Sequence, residues 1–284
     1  MKIPPFWSKV KYEHVAQNGK KYWFFANGWS FESLSSAKED ALKRAKRNMQ
    51  IFFSGEQRAR GGYYLDRPIR EEIIDELIIA GEQVAVITRN GYGAAVLNAA
   101  KTMFVDIDFT QKSKKPTGFL AALFGRNSSE ESNEEEQLNN VIQWANLNPN
   151  HSFRLYKTAA GLRLLFTGKS YDPASDEVKI IMQSLAADPL YMQLCKSQEC
   201  FRARLTPKPW RINYWTPPNK FPFLRPQYQE QNRKWEKKYA EKIEKYQTAK
   251  FIQEFGQPDY TQQAKAIVAY HDELCRVNDK KPLA

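Results

Sequence analysis

The pattern of apolar and polar positions along the chain predicts short strands separated by helices. Alternating or continuous apolar runs that are bounded by turn residues are typical of strands. Strands are predicted at residues 22–25, 84–88, 94–99, 101–109, 153–158, 162–167 and 201–205. Asn90 and Gly91 separate two of these strands as in a tight hairpin. Residues 159–161 are small and form the turn of a second hairpin.

Apolar residues at helical spacing predict several helices. Helices are expected at residues 35–53, 68–80, 135–145, 175–186 and 189–200. Ser35 or Ser36 is expected to cap the first helix, because Glu39 follows as in a capping box. The second begins at a proline, which suits the first helical position. Residues 227–277 are predicted to form two more helices, which are separated by a break at residues 256–258.

These elements predict an α+β protein whose core is a mixed or antiparallel sheet. The core is expected at residues 61–226, after an N-terminal strand–helix extension at residues 1–60. Residues 110–136 run from basic to acidic and are predicted to be a mobile insertion in the core. Residues 227–284 are expected to be C-terminal helices that pack on the core through Trp235 and Tyr239.

The charge balance favours a polyanionic partner. The chain has 284 residues, with 43 Lys and Arg against 32 Asp and Glu, and a formal charge of +11. Such a surplus attracts phosphate-rich molecules through steering and counterion release. Many basic proteins nevertheless bind nothing acidic, so the charge leaves both possibilities open.

Cysteine and histidine usage argues against two other classes of protein. Three cysteines without dense spacing do not form a disulfide framework. Three histidines, far apart in the sequence, make a structural zinc site unexpected. No apolar run approaches the roughly 20 residues that span a bilayer. We therefore expect a cytoplasmic protein without a membrane partner.

Asp106 and Asp108 are the sharpest candidates for chemistry. Aspartate is disfavoured in strands, yet two lie at i and i+2 in a predicted strand and should share one face. Their Cα atoms would be roughly 7 Å apart, which suits carboxylates that bind Mg²⁺ or Mn²⁺. These ions would hold a nucleoside triphosphate. The alternative is an edge strand that carries two solvated aspartates.

The hairpin after this strand carries a second candidate set. A small-residue turn lets a backbone approach a ligand closely. The candidate contacts to nucleotide or nucleic acid are Arg154, Lys157, Thr158, Gly161 and Arg163. The alternative is an ordinary hairpin in which the arginines pair with acids.

Basic and aromatic residues alternate in a third segment. Such interleaving suits single-stranded nucleic acid, either DNA or RNA. The candidates are Arg202, Arg204, Lys208, Trp210 and Arg211, with Tyr214 and Trp215 as further stacking surfaces. In the alternative, Trp210 is buried and Arg204 pairs with Asp106 or Asp108.

The order of these elements, over residues 84–215, resembles the archaeo-eukaryotic primase superfamily, which includes the primase-polymerases. Asp106 and Asp108 match the family's metal-holding pair, and the turn at residues 158–161 is similar to its second motif. The resemblance implies an RRM-like, primase-type architecture, divalent metal ions and nucleoside triphosphates.

Two features depart from that family. Arg163 and Leu164 occupy the position of its nucleotide-contacting histidine, and a third carboxylate is unassigned, with Asp188 and Glu199 as candidates. The chain is also similar to an uncharacterised bacterial protein family, which implies no function.

Three functional hypotheses follow. The first is metal-dependent nucleotidyl transfer, with Asp106 and Asp108 as catalytic metal ligands. The second is a non-catalytic protein that binds DNA or RNA, in which the aspartates are structural partners of arginines. The third is a metal-dependent nuclease, which needs a further carboxylate or lysine beside the pair.

Overall fold

The computed structural model describes residues 1–55, 68–109 and 128–284. In this part of the chain, ten strands form three antiparallel sheets. The strands are β1 (Phe6–Val15), β2 (Lys21–Ser30), β3 (Glu72–Ile79), β4 (Glu82–Arg89), β5 (Ala95–Ala99), β6 (Phe104–Asp108), β7 (Phe153–Thr158), β8 (Gly161–Phe166), β9 (Phe201–Arg204) and β10 (Ala249–Phe255). The helices are α1 (Leu34–Ser54), α2 (Ser128–Leu147), α3 (Asp176–Ser184), α4 (Pro189–Gln198), α5 (Pro226–Ile243) and α6 (Gln262–Leu274). A 3-10 helix spans Pro209–Ile212.

Two four-stranded sheets build the core, so the α+β class with antiparallel sheets is confirmed. Their strand orders are β10-β7-β8-β6 and β3-β4-β5-β9. The Tyr191 hydroxyl lies 3.1 Å from the carbonyl oxygens of both Phe104 in β6 and Arg202 in β9. One partly buried side chain of α4 therefore joins the edges of the two sheets.

The predicted helix at residues 68–80 is wrong, because Glu72–Ile79 forms strand β3. This strand pairs with β4, and the register shifts twice: Ile74 is the extra residue in β3, and Val84 is the extra residue in β4 opposite Leu77/Ile78. The bulge at Ile74 inserts a residue in β3 and resets the alternation of its side chains. The apolar positions therefore imitate helical spacing, although isoleucine itself favours strands.

The N-terminal segment is a hairpin and a helix, where the sequence predicted a single strand followed by a loop and a helix. Strand β1 pairs with β2 along its length, and α1 lies on one face of this hairpin. The cap of α1 is Ser33, not Ser35 or Ser36, because the Ser33 hydroxyl accepts the Ser36 amide at 3.1 Å. A Cβ atom at Gly28 would collide with the helix backbone, so this glycine permits the close packing.

The C-terminal segment is not purely helical, which corrects a second prediction. Between α5 and α6, strand β10 extends the core sheet by pairing with β7. A bulge between Phe251 and Gln253 again obscures the alternation. Trp235 and Tyr239 of α5 are buried, in a cluster with Ile212 and Tyr214 that is separate from the main hydrophobic core.

The predicted helix at residues 135–145 is longer in the structure. Helix α2 begins at Ser128, so the last part of the predicted mobile insertion is helical. The rest of that insertion and the predicted turn at residues 58–62 lie outside the described residues. Within the described ranges, no helix is long and apolar enough to cross a membrane.

Candidate nucleic-acid interface

Asp106 and Asp108 share one face of β6, as their spacing predicts. In the register with β8, Asp106 lies opposite Arg163 and Asp108 lies opposite Gly161. Val105 alternates with the aspartates and is fully buried on the other face of the sheet. The alternation therefore fixes the common direction of the two carboxylates.

Asp106 is held in an ion pair with Arg163. Nε and Nη2 of Arg163 donate to the two carboxylate oxygens at 2.7 and 2.9 Å. Nη1 donates to the carbonyl oxygen of Arg204 at 2.8 Å, and the arginine side chain is only 1% exposed. Burial lowers the pKa of Arg163, but the charge and hydrogen bonds of Asp106 outweigh this effect and raise it. Pairing of the hairpin arginine with an acid is thereby confirmed.

Helix α6 covers this ion pair with a histidine that sequence reasoning missed. His271 is fully buried, with Nε2 at 3.4 Å from Arg163 Nη1 and Nδ1 at 2.9 Å from an Asp272 carboxylate oxygen. The neutral tautomer with its proton on Nδ1 satisfies both contacts. Ala264, Ile267 and His271 are the buried side chains of α6 and follow helical spacing. That spacing was the available signal for a buried histidine.

The other hairpin candidates also make internal contacts. Arg154 donates to the Tyr156 hydroxyl at 2.7 Å and to Asp272 at 3.0 Å. Lys157 lies on the opposite face of the sheet, and its ammonium pairs with Glu134 of α2 at 2.5 Å. These contacts do not bring the two side chains together at a common ligand site.

Thr158 and Gly161 serve the turn and the strand pairing. The Thr158 hydroxyl donates to the carbonyl oxygen of Gly161 at 3.1 Å. A Cβ atom at Gly161 would collide with the carbonyl oxygen of Ile107. The close backbone approach expected of this glycine is therefore made to strand β6 in the described structure.

Arg202 is committed to a part-buried ion pair with Glu71. Its Nη2 donates to the two carboxylate oxygens of Glu71 at 2.8 and 2.7 Å. Burial lowers the pKa of Arg202, but the Glu71 carboxylate outweighs that effect and raises it. Thr88 also donates to Glu71, at 2.5 Å. Arg202 is therefore paired with an acid whereas Arg204 is not, although the two side chains share one face of β9.

Arg204, Lys208 and Arg211 form a cluster of cations that we call the basic cluster. None of the three has an ion-pair partner among the residues that the structure describes. Arg204 Nε and Arg211 Nη1 are buried without a hydrogen-bond acceptor. Burial and the neighbouring arginines lower the pKa of Lys208, and burial and Arg204 lower that of Arg211. Within the described residues, the cluster therefore has no ion-pair partner and two of its buried nitrogen atoms lack acceptors, while Asp108 acts on Lys208 and Arg211 electrostatically.

Asp108 lies beside the basic cluster and differs from Asp106. Burial, Asp106 and Asp188 raise the pKa of Asp108, while Lys208 and Arg204 act in the opposite direction. Asp188 caps α4 by accepting the Tyr191 amide at 2.9 Å. Glu199, the other candidate for a third carboxylate, pairs with Lys2 at 3.0 Å. Across residues 1–55, 68–109 and 128–284, no group of three or more His, Cys, Asp or Glu is arranged to hold a metal.

Two exposed tryptophans lie within and after the basic cluster in sequence. Trp210 is 53% exposed, as its predicted role as a stacking surface requires, so the alternative in which it is buried is wrong. The Lys208 ammonium lies 5.6 Å from the centroid of the Trp210 ring, and Tyr92 contacts the ring at 5.1 Å. Trp215 is 67% exposed and stacks on Tyr214 at 4.6 Å. Both tryptophans present ring surface that a base could cover.

Comparisons with known proteins add no evidence on function, so the functional argument rests on the geometry described above. No protein-family model, curated protein or solved structure matches the chain. The resemblance to the primase superfamily therefore stays a prediction.

Proposed function

We propose that the protein binds single-stranded nucleic acid, with phosphates on the basic cluster and a base on Trp210. One observation carries the proposal: three cations crowd together, and two of their buried nitrogen atoms lack acceptors. Such cations destabilise one another unless an anion is present. A phosphate group would supply both negative charge and hydrogen-bond acceptors to the guanidinium groups.

The aromatic surface favours a single strand over a duplex. Base–aromatic stacking requires an unstacked base and tolerates any sequence. Trp210 lies close to Lys208, so one nucleotide could place its base and its phosphate on neighbouring side chains. The net charge of +11 would steer the strand towards the protein.

Replacing both Lys208 and Arg211 with alanine is expected to weaken binding of a labelled single-stranded oligonucleotide by about tenfold or more. Two lost phosphate contacts should also reduce the slope of log K against log salt by about 1.4, or roughly 0.7 for each contact. Fluorescence anisotropy across a salt series measures both quantities.

Two variants control this experiment. Lys179→Ala removes one positive charge at an exposed position of α3, outside the basic cluster. It should leave the affinity for the oligonucleotide within about twofold of the parent's. Trp210→Ala should weaken binding without reducing the salt slope, because stacking releases no counterions. An unchanged slope in the double variant, or an equal loss in Lys179→Ala, would contradict the proposed site.

We also propose that the α+β fold is of the primase type. A nucleoside triphosphate would then be a further phosphate-bearing ligand. This proposal is supported by the Asp-x-Asp strand beside the hairpin strand and by a basic cluster near Asp108. Nucleotidyl transfer is the second candidate function, since Asp188 also acts electrostatically on Asp108.

The described side chains do not fit a two-metal centre as they stand. Both carboxylate oxygens of Asp106 accept hydrogen bonds from Arg163. Asp108 is then the one carboxylate of the pair without an ion-pair partner in the described ranges. For this reason we rank binding above metal-dependent transfer or nuclease activity, which stay predictions.

Asp108→Asn is expected to retain nucleic-acid binding in the presence of a chelator and to strengthen it slightly. The change removes a negative charge beside the basic cluster. It should also raise the free energy of unfolding at pH 7, by less than about 1 kcal/mol for this exposed side chain. Because folding raises the pKa of Asp108 above 3.8, the stability difference should vanish as pH falls through this value and appear as pH rises.

The same variant separates binding from metal chemistry. Thermal unfolding is followed with and without Mn²⁺ for the parent and for Asp108→Asn. A Mn²⁺-dependent rise in Tm that is confined to the parent, together with loss of oligonucleotide binding in the variant, would favour the metal-dependent function.

A further inference from the structure

The N-terminal hairpin has a second face with the chemistry of a stacking platform. In β1 and β2, the side chains alternate between α1 and the opposite, outward face. Gly28, Tyr22 and Phe24 lie on the side of α1, since Gly28 contacts its backbone and both rings contact Phe52. By alternation, Trp23, Phe25 and their cross-strand partners Glu13 and Lys11 point to the opposite face. At the other end of the hairpin, Trp29 lies against Arg44 of α1 and Trp7 is buried, so the outward face is limited to the region around Trp23 and Phe25.

Two aromatic rings dominate this outward face. Trp23 is 49% exposed and Phe25 is 50% exposed. They lie at i and i+2 in β2, so the Cα atoms of these two residues are roughly 7 Å apart. This spacing exceeds the roughly 3.4 Å between stacked bases, so the bases that cover the two rings must be unstacked from each other, as in a single strand. A single strand could cover both rings with neighbouring bases.

Lysines surround the two rings. Lys11 lies opposite Phe25, and its ammonium is 4.7 Å from the centroid of the Trp23 ring. Lys9 lies opposite Asn27 on the same face. The face thus offers stacking surface and positive charge.

The orientation of Trp23 is fixed before any ligand arrives. Its indole N–H donates to Glu13 at 3.1 Å, and Glu13 also pairs with Lys21 at 3.0 Å. Hydrogen bonds from Lys21 and Trp23, together with the charge of Lys21, lower the pKa of Glu13. The carboxylate that accepts the indole hydrogen bond therefore remains charged. A ring that is held in place loses less entropy when a base stacks on it.

Charge complementarity identifies the occupant. Residues 1–55 contain ten Lys and Arg against four Asp and Glu. Lysine is depleted at protein–protein interfaces, whereas lysine between exposed aromatic rings is typical of surfaces that bind single strands. Both observations favour a nucleic acid over a second protein.

We propose that Trp23, Phe25, Lys9 and Lys11 form a second binding surface for single-stranded nucleic acid, which we call the hairpin platform. Its residues are separate from the basic cluster and come from a different sheet. The platform therefore goes beyond the function proposed above and can exist without it.

The test compares two double variants of the full chain, Trp23→Ala/Phe25→Ala and Lys208→Ala/Arg211→Ala, with a labelled oligothymidylate. Loss of both rings should weaken binding by at least about tenfold, with little change in the salt slope. The single variant Trp23→Phe keeps a stacking ring at this position and should therefore retain most of the parent's affinity. Ile180→Ala, at a 64% exposed position on α3, is the control for loss of exposed apolar surface and should bind like the parent.

The outcomes distinguish the two surfaces. If only the Lys208/Arg211 variant loses affinity, the hairpin platform is refuted and the basic cluster stands. If only the Trp23/Phe25 variant does, the platform stands and the function proposed for the basic cluster fails. A Trp23/Phe25 variant that binds like the parent but has a smaller sedimentation coefficient would make the face a contact between two copies and overturn the inference.

Discussion

Asp106→Ala is expected to lower the free energy of unfolding by about 3–5 kcal/mol, the range for removing one partner of a buried ion pair. The substitution leaves Arg163, whose side chain is 1% exposed, without its carboxylate. The guanidinium would keep its contacts with the Arg204 carbonyl and His271, and neither carries a full negative charge. Urea denaturation at pH 7 measures the loss.

The partner variants make this prediction sharper. Arg163→Met should cost less than Asp106→Ala, because the remaining Asp106 side chain is 36% exposed and can be hydrated. The double variant Asp106→Ala/Arg163→Met should recover stability relative to Asp106→Ala, which gives a coupling energy from the cycle. Asp108→Ala is the matched control and should cost little. A loss below about 1 kcal/mol in Asp106→Ala would show that the ion pair contributes like a surface pair.

This expectation changes how a catalytic test should be designed. An Asp106→Ala variant that unfolds would also fail to act on a nucleotide, so its inactivity alone would be uninformative. Asp108 is the better position for such a test. Its carboxylate has no ion-pair partner in the described ranges, and burial together with the charges of Asp106 and Asp188 raises its pKa.

The direction of the two aspartates could be predicted from sequence, but their partners could not. Alternation in a strand requires Asp106 and Asp108 to share a face whatever the fold. Arg163 becomes the partner of Asp106 through the register of β6 with β8. His271 reaches the same ion pair from α6, over a hundred residues away in the sequence. Contacts of this kind depend on the tertiary arrangement and not on local spacing.

The two strands that were predicted to be helical, β3 and β10, were misread for the same physical reason. Strands β3 and β10 both contain bulges, which interrupt the alternation of apolar and polar positions. The regular strands β7 and β8, in contrast, were predicted to within a residue, because their pattern is uninterrupted. The basic cluster was only partly predicted. Arg202 shares its strand face with Arg204, and nothing in their local spacing indicates that Glu71 would neutralise only one of them.

Gly161→Ala is expected to lower the free energy of unfolding by about 3 kcal/mol, at the upper end of the usual cost of overpacking. The added methyl group would collide with the carbonyl oxygen of Ile107 and lie 3.0 Å from the Cα atom of Asp108. Both neighbours are backbone atoms of β6 and cannot move aside by changing rotamer. The sheet would have to separate where Asp108 enters the site, and urea denaturation would record a lower midpoint.

Gly91→Ala is the matched control, because no atom lies within 4 Å of its added methyl group. It should change stability by less than about 0.5 kcal/mol. Amide hydrogen exchange of β6 and β8 then locates the effect, since faster exchange should be concentrated in those strands. If Gly161→Ala is as stable as Gly91→Ala but loses affinity for the oligonucleotide, Gly161 would contact the ligand, and its role in strand pairing would be minor.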